Sequence, residues 1–283
     1  MCGRFVLASP PEVVAAYFDA VLGDAPTGPR YNVAPTDDIA GVLVREGRRE
    51  LDRFRWGLIP PWANNASIGV RMINARAEGL ASSNAFRRSF ERRRCIVVAD
   101  GFYEWATTPG RRARVPHYIT RPDGSPYAFA GLWSRWSGPM GGEQVSIRSA
   151  TIITTEPNEA MATIHDRMPV VLADESWERW LDPTHTDTRD VGDLLVPAAP
   201  ELTVIRPVAA LVNNVRNDGP ALIADLPAPD ELPDPDAEQG KHCPRQRCID
   251  DDVATPRVEE LSFKRIEVVK NRSDIVPAAL QPR

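Results

Sequence analysis

Cys95-Ile96-Val97-Val98-Ala99-Asp100-Gly101-Phe102-Tyr103-Glu104-Trp105-Ala106 decides the fold class. Residues 95–99 are a continuous apolar run rich in β-branched side chains. Residues 102–106 carry three aromatics, and Asp-Gly between the two runs is a turn signal. Further β-like runs follow at 117–121, 127–133 and 146–154, separated by Gly and Pro. Upstream, 39–45 and 51–56 read as a strand pair joined by the charged turn Glu46-Gly47-Arg48-Arg49-Glu50. Helical signals are fewer. Ser9-Pro10-Pro11-Glu12 reads as a helix start, with Ser9 as N-cap, Pro10 at the first position and Glu12 closing a capping box, and the helix runs to residue 22. Residues 76–90 are predicted mostly helical with an arginine-rich outer face, and 157–164 form a helix ending before His165. Residues 168–172 form a strand, Asp174-Glu175-Ser176-Trp177 opens a short helix, and 202–206 is the last strand. Helices are too few for a doubly wound sheet, so the class is α+β: mixed or antiparallel β-sheets flanked by short helices.

The 283 residues allow one large domain or two small ones. Composition shifts near residue 226. Residues 227–240 are rich in Pro, Asp and Glu and read as a linker, and the tail to Arg283 is polar, with one short apolar segment, Ile266-Glu267-Val268-Val269. The expectation is one domain over 2–226 followed by a linker and a disordered tail. No apolar run reaches transmembrane length and no basic-then-apolar leader stands at the start, so a soluble, cytoplasmic protein is expected. Cys2, Cys95, Cys243 and Cys248 are too few and too scattered for a disulfide framework, and a reducing compartment fits them.

The net charge of −5 argues against a generally basic nucleic-acid binder, yet the charge is unevenly placed. Residues 48–135 hold 16 arginines and 7 acids, a balance of +9, and residues 136–226 hold 6 and 14, a balance of −8. That asymmetry permits one basic, phosphate-binding face. Solvated surface is the plainer alternative. No lysine precedes Lys241, so the basic side chains of the first 240 residues, histidine apart, are guanidinium groups, which are not amine nucleophiles. A Schiff base formed by this domain would therefore need the chain terminus.

That terminus reads Met1-Cys2-Gly3-Arg4-Phe5. Loss of Met1 would give Cys2 an α-amine with an ordinary pKa of about 7.7–8.0 and a thiol near about 8.5 on one residue. Such a pair captures an aldehyde twice: the amine forms an imine, then sulfur closes a five-membered thiazolidine. A small, idle buried cysteine is the commoner state of such a position. Other segments add polar groups in tight settings. Glu104 lies between two aromatics in a strand, where an apolar setting would raise its pKa toward that of a general acid or base. Ile164-His165-Asp166-Arg167-Met168-Pro169 puts a histidine beside an arginine, before a proline that forces extended structure. Asn74-Ala75-Arg76-Ala77-Glu78 gathers an amide, a guanidinium and a carboxylate, and would otherwise be a surface helix. Trp56 is expected in the core, and Trp62, after two prolines, as a loop wedge for stacking on bases.

Taken together, these pieces resemble the SRAP family, the SOS-response-associated peptidases that process abasic sites. The matching segments are Cys2-Gly3-Arg4-Phe5, Tyr31-Asn32-Val33-Ala34-Pro35-Thr36, Trp56-Gly57-Leu58-Ile59-Pro60 through Trp62, and Asn74 to Glu78. They continue with Gly101 to Trp105, Phe129-Ala130-Gly131-Leu132-Trp133, Thr154-Thr155, and Ile164 to Val170. Val98 and Pro157 depart from the family pattern, where proline and alanine are expected. The resemblance implies covalent capture of an abasic site in single-stranded DNA by Cys2, shielding the lesion. Glu104 is then the proton carrier, His165 aids sugar-ring opening, and Asn74 orients the terminal cysteine. Arg4, Arg76, Arg167, Trp62, Thr154 and Asn32 contact DNA. It also implies removal of Met1 by the chain itself, a weak β-elimination lyase activity, and no metal or other cofactor. A monomer is expected, associated with the nucleoid when bound, and the tail around Lys264 to Arg272 is a place to recruit a repair or replication partner. The rivals are a terminal-nucleophile amidohydrolase using Cys2 and a base, and a non-enzymatic module with zinc at His242, Cys243 and Cys248. The Cys-x4-Cys spacing is poor for zinc, and a fourth ligand is not apparent.

Overall fold

The β-rich reading is realised as two sheets that share one face. The computed structural model describes residues 2–107 and 114–226. Its strands are β1 (Phe5–Leu7), β2 (Val21–Leu22), β3 (Arg30–Val33), β4 (Asp38–Arg45), β5 (Arg48–Trp56), β6 (Asn74–Arg76) and β7 (Arg94–Ala99). They continue as β8 (Gly101–Ala106), β9 (Val115–Thr120), β10 (Tyr127–Met140), β11 (Glu143–Thr155), β12 (Met168–Pro169) and β13 (Val204–Pro207). Strands β11, β10, β7, β4 and β5 pair in sequence, and β5 returns in parallel to β11 through Ser149↔Arg55 and Ala150↔Trp56. The five strands therefore close into a barrel, which removes the open edges of a flat sheet. The second sheet runs β13-β9-β8-β1-β3.

Side-chain alternation explains how the layers stack. Val97, Phe54, Trp56, Phe129 and Ile152 point into a cluster completed by Phe5, Phe102 and Ile119 of the second sheet. Their neighbours Ile96, Val98, Leu51, Ala130 and Ile153 face the other way, against Phe18, Trp177 and Trp180 of the outer helices. Strand β7 is buried along its whole length because it is covered on both faces. The helices are short: α1 (Pro11–Tyr17), α2 (Arg87–Arg92), α3 (Glu159–Ala162), α4 (Trp177–Leu181) and α5 (Arg189–Gly192). Gly57 has φ 110°, and a Cβ there would lie 2.4 Å from the carbonyl oxygen of Gly69. Only glycine lets β5 leave the barrel at that point and lead into the Trp62 loop.

Four local expectations are corrected. The first helix ends at Tyr17 and does not reach residue 22. Asp19 adopts φ 48°, and Val21–Leu22 instead pair in parallel with Glu50–Leu51. Ser9 does not cap that helix: Pro10 holds the cap position instead of the first helical one and gives no side-chain cap bond, while the backbone N–H groups of Ser9 and Ala8 donate to the Asp100 carboxylate at 2.8 and 2.7 Å. Residues 76–90 are not one helix. Asn74–Arg76 is a strand parallel to Ile152–Thr154, and the α-helical part is confined to Arg87–Arg92. The expected strand over 168–172 shortens to Met168–Pro169 plus a bridge between Val171 and Phe129. The predicted linker, tail and zinc ligands lie outside the described residues.

Candidate functional site

Strand β1 pairs antiparallel with β8 through Phe5↔Phe102 and Val6↔Gly101, and with β3 through Phe5↔Val33. A further bond from Tyr103 N–H to Arg4 O, at 2.9 Å, extends the ladder toward the chain start. Cys2 is thereby held fully buried, in the same apolar cluster as Phe5 and Trp56. Its carbonyl accepts a 2.8 Å hydrogen bond from Asn74 Nδ2, and its Sγ lies 4.0 Å from Arg4 O. Burial first, and the negative charge of Glu104 second, push the Cys2 thiol up. Ionisation of the sulfur is therefore disfavoured, in contrast to the activated nucleophile of a cysteine hydrolase.

Glu104 sits on β8 with Phe102, both facing the Cys2 side, while Tyr103 packs into a separate cluster with Val6 and Tyr118. It is 3% exposed. Burial raises its carboxyl above the ordinary carboxylate value, against a pull downward that includes the charge of His165. Both Cys2 and His165 thus interact electrostatically with this one carboxyl.

His165 closes the turn after α3. Asn158 Oδ1 caps that helix by accepting from Met161 N–H at 2.9 Å, and His165 N–H returns to Met161 O at 2.9 Å. Two groups compete for His165 Nδ1: the backbone N–H of Arg167 donates to it at 3.0 Å, and Asp166 Oδ1 lies at 2.8 Å. One nitrogen cannot accept from the first and donate to the second in the same tautomer. Asp166 is 85% exposed, whereas the backbone donor is fixed by the chain. In the tautomer that accepts from the Arg167 N–H, the ring proton is on Nε2.

Asn74 and Arg76 share one face of β6, in register with Ile152 and Thr154 of β11. Arg167 donates to Glu78 through two bonds, of 2.7 and 3.0 Å, and to Thr154 O at 2.6 Å. Three buried atoms of this neighbourhood have no hydrogen-bond partner among the described residues: Asn74 Oδ1, Thr154 Oγ1 and Arg167 Nε. Buried polar atoms rarely stay unpaired, so such a group suits a polar substrate.

The structure distributes the remaining residues named from sequence. Arg4 donates to Asn32 Oδ1 at 2.8 Å and Val212 O at 3.0 Å, and stacks 6.0 Å from the Trp105 ring. Asn32 is fully buried, and its amide nitrogen reaches the carbonyls of Val212, Asn214 and Asn217. Both side chains thus pin the segment 212–217 beside β1 and β3. Arg76 is exposed, and Trp62 is 59% exposed.

Two neighbours were not singled out from sequence. His117 stands directly opposite Glu104 in the β8–β9 ladder, on the same face, with Nδ1 3.0 Å from Val115 O. Asn213 Oδ1 accepts from Trp105 Nε1 at 2.7 Å. The signal for His117 is its register, legible only once the β8–β9 hairpin is fixed. Asn213 lies 108 residues from its partner, and sequence carries no signal for that pairing.

A closed five-stranded barrel, a second sheet against it and a buried Cys2–Glu104 pair define an α+β protein built around its first strand. A family model described as SOS response associated peptidase (SRAP) matches residues 1–215. The chain is 41% identical over 225 residues to "Abasic site processing protein YoqW" of Bacillus subtilis (strain 168), across 79% of this chain and 99% of that one. It is 33% identical over 228 residues to "Abasic site processing protein HMCES" of Xenopus tropicalis, across 70% of this chain and 66% of that one. A crystal structure of a protein from Bacteroides thetaiotaomicron has the same fold, with TM-score 0.69 at 23% identity, over 80% of this chain and all of that one. A second, from Bordetella bronchiseptica, gives TM-score 0.61 at 28% identity, over 74% of this chain and 100% of that one. The chain belongs to the SRAP family.

Proposed function

We propose that this protein processes abasic sites in DNA by capturing the lesion covalently on Cys2 once Met1 is gone. The observation that carries the reading is the burial of Cys2 beside Glu104 and Asn74 in a domain without a lysine. The names of the curated relatives support the same substrate.

An open-chain deoxyribose carries an aldehyde at C1′. The Cys2 amine adds to that carbon, and the carbinolamine loses one water to give an imine. The thiol then adds to the imine carbon, its proton passes to the nitrogen, and the thiazolidine closes. One water leaves overall. No thiolate is required at the start, which suits a sulfur whose ionisation is disfavoured. Glu104, kept protonated more readily than a surface carboxyl, protonates the departing hydroxyl and later the leaving groups of reversal. His165 Nε2–H assists opening of the sugar ring. Asn74 fixes the Cys2 carbonyl and so aims its nitrogen. Arg76 and Arg167 flank the lesion phosphates and Trp62 lines the strand, with Thr154 Oγ1 turned toward the same site, while Arg4 and Asn32 act through the segment 212–217 that they pin. Self-removal of Met1 and weak β-elimination are side reactions of the same site. The partner is single-stranded DNA with abasic sites, taken by a monomer, and the chemistry draws on no cofactor. The protein acts in the cytoplasm, at the nucleoid.

The test uses protein confirmed by mass to lack Met1, incubated with a single-stranded oligonucleotide bearing one abasic site. A denaturing gel is expected to show a heat-resistant adduct, absent in Cys2→Ala and in a variant with an extra residue before Cys2. Adduct formation by Cys2→Ala at the wild-type rate would overturn the assignment. A terminal-nucleophile hydrolase predicts instead amide cleavage that survives replacement of Arg76.

A further inference from the structure

Glu104 faces a second histidine across the β8–β9 hairpin. Register partners in an antiparallel pair put their side chains on one face, with Cβ atoms about 4.5–5.5 Å apart. Glu104 and His117 are such partners, and so are Phe102 and Ile119 beside them, both members of the cluster that holds Cys2. His117 therefore stands on the face of the sheet that carries the reaction centre. On its other side β9 pairs with β13, and His117 meets Pro207 there. Its neighbours along β9 on this face are Val115 and Ile119. Of these neighbours only Glu104 exchanges protons. Arg206 of β13 is turned to the opposite face, 5.2 Å over the Tyr118 ring. Among the described residues, the titratable groups around Glu104 are then Cys2 from β1, His165 from the turn after α3 and His117 from β9.

The His117 ring is also held in one orientation. Its Nδ1 lies 3.0 Å from Val115 O, and a carbonyl only accepts, so the neutral imidazole carries its proton on Nδ1 and presents a lone pair at Nε2. At His165 the tautomer that accepts from the Arg167 N–H does the reverse, with its proton on Nε2. The Glu104 carboxyl thus stands between an imidazole that gives a proton and one that takes it. Burial differs as well: Glu104 is 3% exposed, whereas His117 is half-buried. An α-amine, with an ordinary pKa of about 7.7–8.0, is mostly ammonium at neutral pH. To attack an aldehyde it must shed one proton, while Glu104 must keep its own to protonate the departing hydroxyl.

We propose that His117 is a positioning residue acting through Glu104, the port by which the buried site passes that proton to water. As the carboxyl takes a proton from the Cys2 ammonium, its own proton moves to His117 Nε2. The amine is left neutral, the carboxyl is still protonated, and the imidazolium returns its extra proton to solvent. One proton leaves, and no bond to carbon forms or breaks in this step. The proposal rests on the DNA-capture reading and deepens it, by separating proton exchange at His117 from sugar-ring opening at His165.

Two measurements on the Met1-free full chain test it. Capture of an abasic single-stranded oligonucleotide is timed near neutral pH in dilute buffer, and again with added imidazole, for wild type, His117→Ala and His117→Gln. Both variants are expected to capture about tenfold more slowly in dilute buffer, with affinity for lesion-free DNA unchanged. Imidazole is expected to bring His117→Ala to within about threefold of wild type and to leave wild type as it was, because the buffer replaces the missing ring. Glutamine still offers a donor to Val115 O but carries no proton, so a purely structural role predicts a wild-type rate for His117→Gln. That rate, or a slow His117→Ala that imidazole does not relieve, overturns the proposal. The second measurement needs no DNA. The imidazole nitrogen signals of His117 are followed by NMR over pH in wild type and in Glu104→Gln. The midpoint is expected to fall by about half a unit or more in the variant, since a carboxylate favours the imidazolium. An unmoved midpoint overturns the link to Glu104. Failure of wild type to capture, with the midpoint moved, overturns the capture reading alone.

Discussion

At the scale of single residues, Glu104 carries opposed demands. Its folded pKa is raised, so between the unfolded value and the folded one the native state holds the extra proton. Its contribution is fully present below the unfolded value and is lost as pH rises through the folded one. Glu104→Gln is therefore expected to fold at least as stably as wild type. Its advantage should grow from the ordinary carboxylate range toward neutral pH, read by urea denaturation at several pH values. The same variant is expected to capture abasic DNA about 10²- to 10⁴-fold more slowly, and to lose the alkaline limb of the pH–rate profile that Glu104 imposes. A wild-type rate in Glu104→Gln would remove the proton-carrier role. Asn74→Ala is expected to slow capture about tenfold, the loss of one positioning hydrogen bond, with little change in affinity for lesion-free DNA.

At the scale of elements, closure of the barrel rests on β5 meeting β11. Asp52 on β5 is 1% exposed and receives Arg148 from β11 on both carboxylate oxygens, with Arg45 as a second side-chain partner. Burial alone would raise its pKa, but the hydrogen bonds of Arg148, the Arg53 backbone and Arg45 prevail and hold it below the ordinary carboxylate range. Stability from this group is present above the unfolded pKa and fades as pH falls through the folded one. Asp52→Ala is expected to cost about 2–4 kcal/mol at neutral pH, moderated by the exposure of Arg45, and less in acid, by chemical denaturation. The β-runs of the two sheets were legible because strands such as β7 of the barrel and β8 of the second sheet announce themselves by composition. Strand β6 was not, since Asn74-Ala75-Arg76 has no β-branched residue and becomes a strand only by pairing with β11. The arginines after it imitate a helical face, and so the reading of 76–90 failed. The burial of Glu104 in a strand was legible from its aromatic neighbours. The anchoring of Trp105 by Asn213 needed the folded chain.

At the scale of the whole molecule, the uneven charge read from sequence acquires a location. Arg87, Arg88 and Arg93 of the segment with a balance of +9 line one cleft beside Trp62, and the charge of Arg135 reaches Arg93. The family match ends at residue 215, and the Bacillus relative is covered over 99% of its length by 225 residues of this chain. A chain truncated after Leu226 is therefore expected to melt within a few degrees of the full one and to capture at the same rate. A large loss of either would assign the last 57 residues a part in the domain. The central claim is chemical, and intact mass spectrometry of the DNA adduct tests it most directly. The account predicts the mass of the Met1-free chain plus the oligonucleotide minus one water, formed without borohydride and mapped to Cys2, with Cys2→Ser trapped only when borohydride is added. An adduct mapped to any other residue, or one that wild type forms only under borohydride, would contradict it.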